Sequence, residues 1–280
     1  MPIFDDPARA LEGRYPSRPA RLRHALAGDP LFSLEALVDL AARLPAPSVE
    51  YNAGELAVDQ NPDETPSNGL SAAETIRRIR ECKSWMVLKN VEQDAAYAGA
   101  LARCLAEIEG PARAATGPVQ KTIGFIFISS PGAVTPFHMD PEHNILMQVE
   151  GSKRIHVYPA DKGIVSDEQH ELYHVGDAHR NLRYNPTFDA LDQAFDLAPG
   201  DAVYLPVKAP HWVKNGLEAS ISFSITWRSR TSLDEARLRL ANHWMRERGG
   251  RPPAPGKAPL RDRAMIFGHK VAARLALPFR

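Results

Sequence analysis

The sequence predicts a mainly β fold with flanking helices, whose core is a sandwich or barrel and, by the number of strands, a jelly roll. Three observations carry that prediction. Between Thr122 and Trp227, short β-rich runs alternate with turn residues. A long polar insertion at 160–195 interrupts these runs without ending them, as a jelly roll tolerates. Helical spacing dominates on both sides of this stretch.

Taken in order, residues 1 to about 50 mix Arg, Pro and Ala with one helical signal, Ser33 to Arg43, in which the serine is an N-cap before apolar positions at helical spacing. From Tyr51 to Gly69 the chain reads as loop, and Ser71-Ala-Ala-Glu74 then opens a helix with a capping box, expected to run to about Glu81. Trp85 to Lys89 is a short strand, and Gln93 to Glu109 is Ala- and Leu-rich with helical spacing. The β-rich runs follow: Phe125–Ser129, Asn144–Val149, Lys153–Tyr158, Ala202–Leu205 and Ser220–Trp227. Helix returns with Ser232-Leu-Asp-Glu235 as an N-terminal signature and Leu238 to Arg248 as its body. A Pro/Gly-rich link at 249–259 then leads to a last basic helix from about Arg261 to Leu275. The expected division is an N-terminal helical and strand region at 1–118 packing on a β core at 119–230, then C-terminal helices at 231–280. Those helices either pack on the core or cross with a symmetry mate to form a homodimer.

A chain of 280 residues can bury a substantial core. Its 34 basic residues balance 34 acidic ones, so nucleic acid and anionic membranes are disfavoured as dominant electrostatic partners. Only Cys82 and Cys104 are present, which fits a reducing compartment better than a disulfide framework. The N-terminal residues lack the pattern of a secretory signal, and no apolar run approaches the roughly eighteen residues of a membrane span. A cytoplasmic protein is expected.

The chemistry concentrates at His138-Met-Asp140 and at His211, which follows Pro199-Gly-Asp-Ala-Val-Tyr-Leu-Pro206. On a strand, side chains at i and i+2 share a face, so His138 and Asp140 can hold one metal while a distant strand adds His211. Two histidines and one carboxylate form a facial triad that leaves positions open on non-haem Fe(II), which nominates oxygenase chemistry. An H-x-D pair alone is cheap, and a surface turn or a polar network is its ordinary explanation. The context alters that balance: Gly132 stands six residues ahead of His138, Gly151 closes the next strand, and Gly200, Pro206, His211 and Asn215 repeat the spacing of a second metal-binding motif.

Gly132-Ala-Val-Thr-Pro-Phe-His-Met-Asp140, then Asn144, Gln148, Gly151 and Lys153-Arg154, then Pro199-Gly-Asp201 with Pro206 and His211, resemble the JmjC branch of the cupin superfamily, especially its asparaginyl-hydroxylase-like and bacterial cupin-like members. The resemblance covers about residues 120–230. It implies a double-stranded β-helix, Fe(II), O2, 2-oxoglutarate as co-substrate, and hydroxylation of an unactivated C–H bond. It further implies that His138, Asp140 and His211 are the iron ligands and that Lys153 pairs with the distal carboxylate of 2-oxoglutarate. By the same resemblance the Thr135 hydroxyl bonds that carboxylate and Asn144 stands near it, while the last strand, with Ser224 and Thr226, lines the co-substrate pocket. Thr226 falls where related hydroxylases often carry asparagine, which weakens its match.

The residues can be weighed apart from any family. A dicarboxylate entering a mostly apolar barrel needs a cation at its far end. Lys153, Ile155 and Val157 share one strand face, and an apolar face with one lysine is odd for solvent, although a lysine at a strand end can reach water. Ser222, Ser224 and Thr226 alternate with Ile221, Phe223 and Ile225, so the hydroxyl face is functional or faces solvent. His170, His174 and His179 lie in the polar insertion; His170 and His174 could share a metal if helical, but a solvated loop is the expectation. His143 and Trp212 could shape a substrate mouth or simply pack.

The leading functional expectation is an Fe(II)- and 2-oxoglutarate-dependent oxygenase acting on a protein side chain, a small molecule being possible. One alternative is a metal-dependent cupin enzyme that acts on a small molecule without 2-oxoglutarate. The other is a non-catalytic JmjC-like binding module, against which the intact triad counts.

Overall fold

A computed structural model describes residues 1–61, 64–178 and 180–274. The strands are β1 (Ala20–Arg23), β2 (Val49–Ala53), β3 (Ser84–Lys89), β4 (Gln120–Ser129), β5 (Val134–His138), β6 (His143–Glu150), β7 (Lys153–Val157), β8 (Gln193–Leu197), β9 (Asp201–Leu205), β10 (His211–Asn215) and β11 (Ser220–Arg228). They form a seven-stranded sheet in the order β1-β9-β6-β11-β4-β3-β2 and a four-stranded sheet in the order β5-β10-β7-β8. Every pairing is antiparallel. From β4 to β11 the chain winds between the two sheets, and the space between them is filled by Leu146, Val203 and Leu205 from one and Ile155, Val157, Leu197 and Val213 from the other. This is the jelly roll, a double-stranded β-helix, that the strand count predicts.

The outer face of the large sheet explains why its central strands lose simple polar alternation. Ile145, Met147, Ile221, Phe223, Ile225 and Trp227 point outward into a second core, which also holds Leu37 and Leu40 of α2 (Leu34–Arg43, after α1 at Pro7–Leu11). The same core takes in Ile76 of α3 (Ala72–Arg77) and Tyr97, Leu101, Cys104 and Ile108 of α4 (Ala95–Thr116). Both faces of β6 and β11 are therefore buried along most of their length, and Asn144, Gln148, Ser222, Ser224 and Thr226 lie on the face opposite this core rather than in water. The N-terminal strands extend the large sheet on both edges, β1 beside β9 and β3 with β2 beside β4.

Local signals fix the helix starts. Ser33 accepts from Ala36 N ahead of α2, and Ser71 with Glu74 forms the expected capping box of α3, which ends at Arg77, earlier than Glu81. α4 outruns its expected end and stops at Gly117, whose φ of 84° breaks the helix. After α5 (Asp167–Val175), α6 (Arg230–Arg246) begins earlier than expected: Ser229 is the cap, and Ser232 closes the box from inside the helix. α7 spans Pro259–Arg274; the expected end at Leu275 lies outside the described residues.

The insertion is the main correction to the expected fold. Instead of a solvated loop it contains α5, opened by a Ser166–Gln169 capping box, with His170 buried. α5 packs on α6 through Arg246, which pairs with Glu168 at 3.0 Å and Glu171 at 2.8 Å, and through Arg239 with Asp167. Helical spacing was hidden by the high polar content, because the buried side of α5 is satisfied by ion pairs. His179 lies outside the described residues.

Candidate metal centre and co-substrate pocket

Antiparallel register brings two of the candidate ligands together. β10 pairs with β5 so that His211 stands directly opposite His138, and their rings lie 4.1 Å apart between centroids. β5 ends at His138, so Asp140 is not on the strand as expected; it lies in the turn beyond it, where the Lys208 backbone N–H donates to its carbonyl at 2.7 Å. Asp140 Oδ2 is 3.7 Å from Nε2 of His138 and 3.7 Å from Nε2 of His211. All three ligand atoms fall within 4.8 Å of one another, the one such group of three or more His, Cys, Asp or Glu side chains among the described residues.

The protonation pattern suits a metal. Backbone carbonyls can only accept, so the contacts of His138 Nδ1 with Pro136 O at 2.7 Å and His211 Nδ1 with Ala209 O at 2.9 Å put the proton on Nδ1 of each ring. Each Nε2 then carries a lone pair aimed at the third ligand. Burial, and for His138 also the neighbouring His211, pushes both imidazoles below the ordinary histidine range, so they are neutral at pH 7. Burial alone would raise Asp140, but His138, Arg180 and His211 outweigh it and hold the carboxyl below its usual range. Two neutral imidazoles and one carboxylate are the donor set that fits Fe(II) with open positions.

The triad lines a cavity together with Phe127, Leu146, Ile155, Leu205 and Val213, and Thr135, Asn144 and Lys153 line it too. Lys153 is 6% exposed, and its ammonium has no hydrogen bond or ion pair among the described residues. Burial pushes its pKa down to about 7. The apolar face that it shares with Ile155 and Val157 is the barrel interior, while Arg154 on the opposite face is exposed. The alternative of a strand-end lysine reaching water therefore fails.

Asn144 is fixed by Ser224, whose hydroxyl donates to Asn144 Oδ1 at 2.7 Å. Ser224 reaches the cavity only through Asn144, and Thr226, whose hydroxyl donates to Ile123 O at 3.1 Å, is likewise absent from the cavity wall. The hydroxyl face of β11 is buried, with Ser222 bonded to Gln148 Oε1 at 2.6 Å, so its solvent-facing alternative is removed.

Arg180 was missed by sequence reasoning: its Nη1 lies 3.3 Å from Asp140 Oδ1, and its side chain lines both the cavity and the adjoining vestibule. Trp85 also lines both spaces, and Glu50, Asn52 and Lys89 line the vestibule. Neither Arg180 nor Trp85 belongs to a motif; tertiary packing alone places them. His143 is a packing residue, bonded to Tyr204 at 2.8 Å and Ser229 at 3.0 Å and stacked on Trp227. Trp212 stacks on His156 at 4.1 Å, and neither residue lines the cavity.

A family model described as a cupin-like domain matches residues 46–232. Lysine-specific demethylase 8 of Xenopus tropicalis is 31% identical over 105 residues, covering 34% of this chain and 23% of that protein. Lysine-specific demethylase JMJ30 of Arabidopsis thaliana is 35% identical over 108 residues, covering 34% of this chain and 24% of that protein. The chain thus spans about a quarter of the length of these curated relatives. The structure of YcfD, a ribosomal oxygenase from Escherichia coli, superposes with a TM-score of 0.50 at 17% identity, covering 92% of this chain and 61% of that one; this likeness shows the shared fold.

Proposed function

The chain belongs to the cupin-like domain family, and from that premise we propose that it is an Fe(II)- and 2-oxoglutarate-dependent oxygenase that hydroxylates a protein side chain. The observation that supports this reading is the buried Lys153 in the same cavity as the triad, its ammonium without a partner among the described residues. A lysine without a partner is costly at such a position, and a dicarboxylate reaching in from the metal would supply the missing anion.

On this reading His138, Asp140 and His211 hold the metal, with both histidines fixed in the Nδ1–H tautomer by their carbonyl partners. Lys153 and the Thr135 hydroxyl, which has no hydrogen-bond partner among the described residues, take the distal carboxylate. Asn144, held by Ser224, borders the same ligand. Phe127, Leu146, Ile155, Leu205 and Val213 exclude water from its length, which strengthens each polar contact made there. Fe(II) and 2-oxoglutarate, when bound at this site, would supply the oxygen-activating chemistry: one atom of O2 would go into the hydroxylated C–H bond and the other into succinate, with release of CO2. The chain's own work is to keep metal positions open, orient the two ligands and present the target through the vestibule.

A protein substrate is favoured because the vestibule beside the cavity offers polar Glu50, Asn52, Lys89 and Asn181 next to apolar Leu56, Trp85 and Pro136, a mixed wall suited to a peptide. The relatives named as lysine-specific demethylases and as a ribosomal oxygenase point the same way. The reading places the protein in a cytoplasmic, reducing compartment, in keeping with two free thiols, and no described helix is long and apolar enough to cross a membrane. A homodimer through the C-terminal helices is part of the proposal, supported by the exposed Leu260, Phe267 and Val271 on α7.

The test is mass spectrometry of candidate proteins incubated with the enzyme, Fe(II) and 2-oxoglutarate, scored for the gain of one oxygen atom and for succinate. Asp140→Ala should abolish both. If wild-type protein releases no succinate and shows no 2-oxoglutarate binding with metal present, the reading is wrong.

A further inference from the structure

The two oxygens of Asp140 are treated differently. Oδ2 faces the two histidine Nε2 atoms, 3.7 Å from each, while Oδ1 is turned to Arg180 Nη1 at 3.3 Å. The guanidinium comes from the insertion, whose chain returns after α5 and docks on the edge of β5. Met139 N donates to Arg180 O at 3.1 Å, Leu182 N donates to Phe137 O at 2.8 Å, and His138 forms a bridge with Asn181. This strap is anchored at its far end by the Arg246 ion pairs between α5 and α6.

We propose that Arg180 is a positioning residue for the metal carboxylate: by taking Oδ1 it fixes the plane of Asp140 so that Oδ2 alone is presented to the metal. The inference rests on the metal-centre part of the function proposed above. A carboxylate at a turn beyond a strand end has no strand neighbours to fix its rotation, and a planar guanidinium can do so. Outer partners of this kind commonly set ligand orientation and metal affinity. The sign of the effect separates positioning from bulk electrostatics. A cation beside the site repels a divalent metal, so removing a merely electrostatic arginine would tighten binding. Removing a positioning arginine weakens it.

The experiment is titration of the full chain with Co(II), followed by calorimetry and by the visible absorption band of the bound ion, with folding checked by thermal melting. Arg180→Met should weaken Co(II) binding about ten-fold or more and alter the band, because a freed carboxylate presents either or both oxygens. Arg180→Lys keeps the cation without the planar fork and should fall between wild type and the methionine variant. Arg246→Met leaves Arg180 in place but loosens the strap, and should shift Co(II) affinity in the same direction by less. Co(II) binding by Arg180→Met that equals or exceeds wild type, with an unchanged band, would overturn the proposal. If that variant does not fold, wild-type affinity and band in Arg180→Lys would overturn it instead. Wild-type protein that binds Co(II) but responds to 2-oxoglutarate neither in its band nor in its melting temperature would sink the co-substrate reading and leave the role of Arg180 standing, so the two fail separately.

Discussion

Replacing Lys153 by methionine should make the empty protein more stable and the co-substrate complex weaker, two effects that a lysine with a purely structural role would not produce together. Lys153 is buried without a partner among the described residues, and burial lowers its pKa from the ordinary 10.5 to about 7. Between these values the unfolded chain carries a proton that the folded one lacks, so stability rises with pH from about 7 toward 10.5, and the lysine is most unfavourable below 7. At about 1.4 kcal/mol per pKa unit, the depression corresponds to a cost of order 5 kcal/mol at or below neutrality. Methionine has a similar shape and no charge, so Lys153→Met should recover part of this. For a chain of 280 residues a gain of roughly 2–5 kcal/mol would raise the melting temperature by roughly 3–9 °C.

With 2-oxoglutarate the sign reverses, because the variant loses a charged hydrogen bond worth about 1.5–3 kcal/mol, weakening binding roughly ten- to hundred-fold. Wild-type binding should also weaken as pH rises above about 7, by up to about ten-fold per unit, since a neutral lysine must first regain its proton. The variant should lack that slope. Thermal melts of the empty protein at pH 6 and pH 9, with calorimetry of 2-oxoglutarate binding across the same range, read all of these. An empty variant no more stable than wild type at pH 6, or one that keeps both the affinity and the pH slope, would refute the assignment.

Thr135→Val should weaken 2-oxoglutarate binding about three- to ten-fold, the loss of one hydrogen bond, while leaving Co(II) affinity unchanged; calorimetry with each ligand separates the two. Ser224→Ala removes the 2.7 Å bond that holds Asn144 and leaves a buried acceptor unpaired, so denaturant titration should show a loss of about 1–3 kcal/mol together with weaker 2-oxoglutarate binding. Gly151→Ala should cost more than an ordinary surface change, about 2–4 kcal/mol in the same titration, because φ is 67° and a Cβ there would meet the Ala219 carbonyl oxygen at 2.1 Å.

What could be read from the chain depended on how local the cause was. The jelly roll was legible because each strand announces itself through alternation and flanking turns, and the caps at Ser33 and Ser71 because capping is settled within four residues. β5 and β10 were legible only through the ligands they carry, because Pro136 and polar residues dilute the apolar pattern, and the short β1, β2 and β8 carry too few apolar positions to stand out. The triad and Lys153 were legible through spacing. Arg180 and Trp85 were not, because the insertion's path back to β5 and the placement of β3 beside β4 are tertiary facts with no local signal. The buried His170 of α5 was not legible for a related reason, since polarity marks a helix as exposed unless ion pairs such as Arg246–Glu171 cover it.

The proposed metal centre then depends on a quantity that no single residue encodes, the register of β10 on β5. His211 meets His138 only because the pairing is shifted by an irregularity between His211 and Val213; a slip of one residue would turn the His211 side chain to the other face of the sheet. The register is pinned at the end away from the metal. Gly132 N donates to Gly216 O at 2.8 Å, Asn215 N to Ala133 O at 2.9 Å, and Gly216 N to Ser152 O at 2.8 Å. Gly216 allows that closure, since a Cβ there would stand 2.2 Å from Ser152 Oγ. Gly132 and Gly216 thus act at a distance on the proposed ligands: they clamp β10 between β5 and β7 at one end, and the strand carries that alignment to His211 at the other.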